Sequence, residues 1–293
     1  MTAKKSKIDE LLRKVEDLGA VLDEVRSEVH AVRQLVGPFA ATFPDGSMLC
    51  QTIHNNKYFV DPDDLIITPQ MIVYRQWEAS LSEFVSRLCT PDTIMVDVGA
   101  NFGYFTCLAG TLIGPHGSGR VFAFEPNPKL ARLLRTNCEI NWSMAPITVH
   151  QAAVADFTGS AHLQIPTSHG ANATLSQLAP GSDAQSVEVD IVRIDDIIPV
   201  DLKVDLLKID VEGHELKVLL GAQETIARSP DIRIVMEWSM PQIRDAGIDP
   251  ADIVSVIDGF ACYNADDADP YADRKDPEWL LSQDYVNALL ARP

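Results

Sequence analysis

Thr93-Ile94-Met95-Val96-Asp97-Val98-Gly99-Ala100-Asn101-Phe102-Gly103-Tyr104 reads as an apolar strand, Thr93–Val98, that ends on an acid and turns through two glycines into a helix, Tyr104–Leu112. Glycine at such a turn lets a ligand approach the backbone, and the helix N-terminus then faces that ligand with unpaired N–H groups. Asp97 adds a carboxylate, which suits a cationic or hydrogen-bond-donating ligand and repels a pyrophosphate. The G-x-G-x-x-G pattern with which dinucleotide sites make room for a pyrophosphate is absent. A single glycine turn says no more than that a nucleotide-like ligand fits a strand-to-helix junction.

Downstream, strands and helices alternate. Strand Arg120–Phe124, helix Lys129–Asn141 and strand Ile147–Val154 follow the turn, and a polar insertion fills 158–183. Strands Val187–Arg193 and Leu206–Ile209, helix Leu216–Ala227 and strand Ile232–Glu237 come next, then an acidic surface loop at 266–276. Apolar strands separated by amphipathic helices indicate a parallel sheet covered on both faces, the doubly wound α/β class. Upstream, residues 39–92 read as a leading region with short strands (Met48–Ile53, Tyr58–Val60, Leu65–Thr68) and a helix, Tyr74–Leu88. The expected organisation is a helix at 6–37, this leading region at 39–92, and the main domain at 93–293.

Two further blocks fall at strand ends. Val121-Phe122-Ala123-Phe124 ends in Glu125-Pro126-Asn127, where an acid suits a bidentate hydrogen bond to ribose hydroxyls. Taken singly, Asp97 and Glu125 could each be helix caps or solvated strand ends; their spacing together favours a cofactor site. Lys208, Asp210, Glu212 and His214 alternate, so they share one face if the strand persists. Carboxyl ends of parallel strands are where such sheets bind ligands, and Glu237 would stand beside this group. A Lys208–Asp210 ion pair, with Glu212 and Glu215 capping the next helix, is the structural alternative and can coexist with a ligand role.

Val96-Asp97-Val98-Gly99-Ala100-Asn101-Phe102-Gly103-Tyr104, Phe124-Glu125-Pro126-Asn127-Pro128 and Lys208-Ile209-Asp210-Val211-Glu212-Gly213-His214-Glu215, in this order, resemble the FkbM-type class I methyltransferases. The resemblance runs from about Trp77-Glu78 to Gly259 and takes in Arg193-Ile194-Asp195-Asp196; the last block is its most specific part. It implies a Rossmann-like, seven-stranded class I methyltransferase sheet with an antiparallel final hairpin. It also implies S-adenosyl-L-methionine as cofactor and methyl transfer to a hydroxyl, family acceptors including macrolide and sugar hydroxyls. The cofactor-binding residues are then Asp97, Gly99, Ala100, Asn101, Gly103, Glu125, Pro126, Asn127, Ala153 and Asp210, with Ala152-Ala153-Val154 as an apolar floor for adenine. Candidates for the base are His214, whose ordinary pKa of about 6.5 suits proton transfer near neutrality, then Asp210 and Glu212. No resident metal is expected; the alternative is that Asp210, Glu212, His214 and Glu237 hold Mg²⁺, which would lower the pKa of an acceptor hydroxyl. Ser168-His169-Gly170-Ala171-Asn172-Ala173-Thr174 is either a wall of the acceptor site or a plain surface loop. A non-enzymatic oligomeric scaffold and a nicotinamide-dependent oxidoreductase are the competing classes, the second opposed by the missing glycine fingerprint.

The chain has 293 residues and a formal net charge of −18, which works against nucleic acid or anionic membranes as partners and leaves a small-molecule or glycan acceptor. Its five cysteines show no zinc or redox spacing and read as reduced thiols in a cytoplasmic protein. No uninterrupted apolar stretch suggests a membrane span. Ile8, Val15, Leu22, Val29 and Val36 recur every seven residues, as do Leu11, Leu18, Val25 and Val32. These are a and d positions of a coiled coil, so residues 8–36 are expected to self-associate into a homo-oligomer.

Overall fold

The computed structural model describes residues 13–15, 18–19, 21–29, 32, 39–142, 144–166 and 184–293. Three short antiparallel strands come first: β1 (Phe39–Thr42), β2 (Met48–Gln51) and β3 (Lys57–Val60). The main sheet is built from β4 (Ile94–Val98), β5 (Arg120–Phe124) and β6 (Ile147–His150). A small second sheet takes β7 (Ala153–Val154), β8 (Gly159–Pro166) and β9 (Ala184–Val192). The main sheet resumes with β10 (Leu206–Ile209), β11 (Arg233–Ser239), β12 (Ala261–Asn264) and β13 (Tyr285–Ala291). Its order is β12-β13-β11-β10-β4-β5-β6. The five strands from β11 to β6 are parallel, and β13 runs antiparallel to both β11 and β12. The fold is therefore the class I methyltransferase sheet, with its final antiparallel hairpin.

Helices cover both faces, and the strands accordingly read as apolar runs without a polar alternation. All five residues of β4 are buried. Val96, Val98, Phe124, Ile209 and Met236 pack on one face. Met95, Val121, Leu206 and Val235 pack on the other, against Phe105 and Leu108 of the helix Tyr104–Ile113. The leading region packs on this second face. Tyr58, Val60, Leu81 and Phe84 belong to the same cluster, and the Tyr58 hydroxyl donates to the Tyr104 carbonyl at 3.0 Å.

Several local expectations are corrected. Leu65–Thr68 is not a strand: the Asp64 carboxylate accepts from the N–H groups of Ile66, Ile67 and Thr68, and the helix Ile67–Val73 starts there. The expected helix Tyr74–Leu88 is shortened to Ala79–Leu88, because Arg75 and Glu78 take left-handed backbone angles. Ile147–Val154 breaks after His150, and its last two residues join the second sheet as β7. Leu216–Ala227 is two helices, Glu215–Leu220 and Gln223–Arg228, broken where Gly221 lies against the Ala155 carbonyl. The first part of the polar insertion is β8, paired with β9 along its full length from Gly159↔Ile191 to Pro166↔Ala184.

The stretch Ser168–Thr174, read as an acceptor wall or a surface loop, lies outside the described residues, as do Ile8, Leu11 and Val36 of the heptad pattern. The described residues between 13 and 32 are helical. Val15, Leu18, Leu22, Val25, Val29 and Val32 of the two heptad stripes are all exposed there. Among the described residues, no helix is long and apolar enough to cross a membrane.

Candidate functional site

A cavity of about 320 Å³ opens across the carboxyl ends of β5, β4, β10 and β11 and reaches Tyr285 on β13. Such a position follows from the sheet: at the carboxyl ends of parallel strands, loops diverge and leave a crevice. Of the residues singled out in the sequence, Asp97, Gly99, Ala100, Asn101, Glu125, Pro126, Ala152, Ala153, Val154, Lys208, Asp210, Glu212, His214 and Glu237 line it. Gly103 and Asn127 do not. Gly103 is the N-cap of the helix Tyr104–Ile113 and its Cα faces Leu134, while the Asn127 side chain caps the helix Pro128–Ile140 by accepting from the Lys129 N–H at 3.0 Å.

At the β4 end, Asp97 is 1% exposed. Its Oδ2 accepts from the Thr106 hydroxyl at 2.5 Å, and its Oδ1 has no hydrogen-bond partner. Burial raises its pKa, opposed by the charge of Lys208 and the Thr106 hydrogen bond. Gly99 has φ +78°, and a side chain there would overlap the carbonyl of Asp210. The glycine turn and the turn after β10 thus touch backbone to backbone, which only glycine permits.

Glu125 lines the cavity and is itself held by main-chain donors. Its Oε2 accepts from the Asn101 N–H and its Oε1 from the Asn127 N–H, each at 2.8 Å. The carboxylate therefore shapes the Asn101 turn (φ +53°), while each oxygen keeps a lone pair for a further donor. Burial pushes its pKa up to about 7 against those two backbone donors.

Lys208, Asp210, Glu212 and His214 do not share a strand face, because β10 ends at Ile209. Left-handed backbone at Glu212 (φ +54°) and Gly213 (φ +94°) folds the chain back and brings all four to the cavity. Lys208 is sealed, 4% exposed. It pairs with Asp210 at 2.9 Å, lies 5.0 Å over the Phe105 ring and stands in register with Asp97 on β4. Among the described residues it is the one lysine or arginine lining the cavity. Neither acid caps the following helix: the Glu215 Oε1 accepts from the N–H of Gly213 at 3.1 Å, in the turn before it, whereas the Glu212 carboxylate takes a short hydrogen bond from the Gln242 amide. Burial first, then the charges of Asp210 and Glu215, push Glu212 up to about 8. Burial lowers the His214 pKa.

Sequence reasoning missed Ile66, Trp77, Glu78, Phe105, Gln242 and Tyr285, which also line the cavity. Glu78 carried one readable signal, its place beside Trp77 at the start of the family resemblance. Tyr285 carried none, since it arrives from an antiparallel strand at the far end of the chain. Burial pushes Glu78 up to about 7. Glu237 is pushed up to about 9 by burial and by Asp210 and Glu212, while its Oε1 accepts from the Tyr285 hydroxyl at 3.0 Å.

Comparison with known proteins agrees with this geometry. The family described as the methyltransferase FkbM domain matches residues 97–262. The hexuronic acid methyltransferase AglP of Haloferax volcanii is 31% identical over 168 residues, 57% of this chain and 62% of that protein. Methyltransferase 1 of Beauveria bassiana is 28% identical over 152 residues, 45% of this chain and 59% of that protein. The chain thus spans 62% and 59% of the length of these relatives. Among solved structures, the precorrin-6y C5,15-methyltransferase of Geobacter metallireducens superposes with a TM-score of 0.40 at 16% identity, over 80% of this chain and 100% of that one. The chain belongs to the FkbM methyltransferase family, and S-adenosyl-L-methionine is its methyl donor. The residues present fit that donor: a buried orphan carboxylate oxygen on Asp97 awaits a cationic or donor group, the Gly99 turn leaves room at the backbone, and Ala152, Ala153 and Val154 offer an apolar floor.

Proposed function

We propose that this methyltransferase methylates a hydroxyl oxygen of a sugar, a glycan or another small natural product. The observation that carries the reading is that the cavity holding the donor residues is also lined by Trp77, Glu78, Glu237 and Tyr285. Carboxylates and a phenol match the donor-rich rim of a polyol, and an aromatic wall suits its apolar face. The printed name of the Haloferax relative, a hexuronic acid methyltransferase, supports a sugar-derived acceptor.

Asp97, Gly99, Ala100 and Asn101 would hold the methionine part of the donor, Glu125 with Pro126 the ribose, and Ala153 the base; Gly103 and Asn127 would act behind them by starting the two helices. When bound, the sulfonium supplies an already activated methyl group. The protein's tasks are then to align the acceptor oxygen, to exclude water and to receive one proton. The proton acceptor is drawn from the polar wall, to which the turn after β10 contributes Asp210, Glu212 and His214, and β11 contributes Glu237. Five free cysteines support a reducing, cytoplasmic setting.

Labelled methyl donor and a panel of glycan and small-molecule hydroxyl acceptors test this. Methylation confined to amines or thiols, with every hydroxyl inert, defeats it. The exposed heptad stripes of the N-terminal helix support self-association through residues 8–36. Replacing Leu18 and Val25 by glutamate in the full chain is expected to lower the mass seen by analytical ultracentrifugation to that of one chain, and an unchanged mass refutes the assembly.

A further inference from the structure

Each of the four groups on the polar wall already has a partner, and the partners differ. Asp210 holds the Lys208 ammonium. Glu212 is bonded to the Gln242 amide and sits on a left-handed turn. His214 interacts with the backbone of Glu212 and Val211. Glu237 differs in its partner, a phenol: its Oε1 takes the Tyr285 hydroxyl at 3.0 Å, and its second oxygen, like Asp210 Oδ1 and Glu212 Oε1, makes no hydrogen bond among the described residues. Its place in the sheet also differs: β11 lies one strand beyond β10 and two beyond β4. With neighbouring strands about 4.8 Å apart, Glu237 stands about 10 Å across the sheet from the Asp97 strand, on the acceptor side of the donor seat.

We infer that Glu237, oriented by Tyr285, takes the proton of the acceptor hydroxyl, and that arrival of the positively charged donor makes it ready to do so. This rests on the O-methylation reading above. The groups facing it are Asp210 and Glu212 from the turn after β10, Lys208 from β10, and Tyr285 from β13, with Glu78 acting on Tyr285 from before the helix Ala79–Leu88. Negative charge thus exceeds positive charge around it, and Lys208 is already paired with Asp210. Without a ligand, Glu237 is therefore held protonated, in line with a pKa pushed up to about 9 by burial and by those two acids. A ligand with a net positive charge reverses the balance and releases that proton to solvent.

In the transfer, the acceptor O–H bond breaks toward the free oxygen of Glu237 as the acceptor oxygen forms its bond to the methyl carbon. The methyl–sulfur bond breaks with its electron pair left on sulfur. The products are a methyl ether, a neutral thioether and protonated Glu237. With the sulfonium charge gone, Glu237 retains its proton until the thioether product is exchanged for a fresh donor. A base that charges only beside the methyl donor avoids an ionised, unpaired carboxylate in the empty site.

Calorimetry of the full chain at pH 8, in buffers of different ionisation enthalpy, reads the proton count directly. Binding of S-adenosylmethionine is expected to release up to about one proton, and its demethylated product, which lacks the sulfonium, distinctly fewer. Glu237→Gln should cut the release by about half or more and lower turnover of any hydroxyl acceptor found in the panel on the order of 100-fold, with donor affinity changed less than about tenfold. Glu237→Asp keeps the charge and should keep the release. Tyr285→Phe removes a donor that favours the carboxylate, so the pH of half-release should rise, by about one unit. An unchanged proton count in a folded Glu237→Gln protein, equal release with donor and product, or turnover within about threefold of wild type overturns the assignment. The proton count needs no acceptor, so a hydroxyl panel that stays unmethylated would defeat the acceptor reading separately.

Discussion

The β5–β4 half of the cavity and the β10–β11–β13 half both present carboxyl groups, yet they hold them differently. Glu125 and Asp97 are buried: Glu125 is tied to two backbone N–H groups, one of them from the turn after β4, and Asp97 to the hydroxyl of Thr106 in the helix that follows it. Glu78, Glu212 and Glu237 are less buried and are held by side chains from distant segments: Asn287 at 3.4 Å, Gln242, and Tyr285 at 3.0 Å. A backbone donor is fixed by the fold, whereas a side-chain donor changes with one substitution. The proposed donor seat is therefore held in part by main-chain donors, while the proposed acceptor side is held by side chains.

The largest effect should come where the two halves meet. A side chain at Gly99 would overlap the Asp210 carbonyl, and φ is +78° there. Gly99→Ala is expected to cost about 4 kcal/mol or more in stability, through strain at a left-handed position and a forced separation of the two turns. Any folded fraction should bind S-adenosylmethionine at least about 100-fold more weakly. Chemical denaturation and calorimetry would check this, and wild-type affinity in a stable Gly99→Ala protein would show that the two turns need not touch.

Somewhat smaller is the expected effect of Lys208→Met. Lys208 is sealed between Asp210 and the register position of Asp97, with its ammonium over Phe105. Methionine fills a similar volume but leaves two acids facing one another without a cation, for which a loss of about 3 kcal/mol is typical. The loss should shrink on acidification, since protonating Asp97, whose pKa burial raises, removes the repulsion. A pH-independent loss in denaturation experiments would mean that packing against Phe105, not charge, is what Lys208 supplies.

That same contrast explains what could be read in advance. The donor half was legible because its function and its geometry are both local. Val96–Gly103 and Phe124–Asn127 each place strand, acid, turn and helix within a few residues, and the sheet order followed from the alternation around them. The acceptor half was legible only in part. Glu237 was placed beside the Lys208 block because it ends an adjacent strand. Tyr285 and Gln242 are brought in by an antiparallel strand and by the helix Met240–Asp245, and no spacing rule connects them to Asp210. The alternation of Lys208, Asp210, Glu212 and His214 led to the right cavity by the wrong geometry. Positive φ at Glu212, a residue type with no special liking for it, leaves no mark in the sequence.

The smallest effect is the one that most sharpens the comparison, because stability and binding should move in opposite directions. Asp97 carries an orphan oxygen in a buried place, and burial raises its pKa. A carboxyl whose folded pKa lies above its unfolded value stabilises the fold when protonated, and that contribution is lost as pH rises through the interval. Glu78, Glu125 and Glu215, each pushed up to about 7, Glu212 to about 8 and Glu237 to about 9, act in the same sense from an ordinary 4.5. The ligand-free protein should therefore melt at steadily lower temperature as pH climbs from 5 to 9, and saturating S-adenosylmethionine should flatten the slope. Asp97→Asn removes one buried charge and should raise ligand-free stability at pH 8 by about 1 kcal/mol. It should also weaken donor binding about tenfold or more, because a charge-assisted contact becomes a neutral one. If Asp97→Asn instead lowers stability and leaves affinity intact, Asp97 serves the fold through Thr106 rather than the donor. The donor half would then owe its seat to Glu125 and the glycine turn alone.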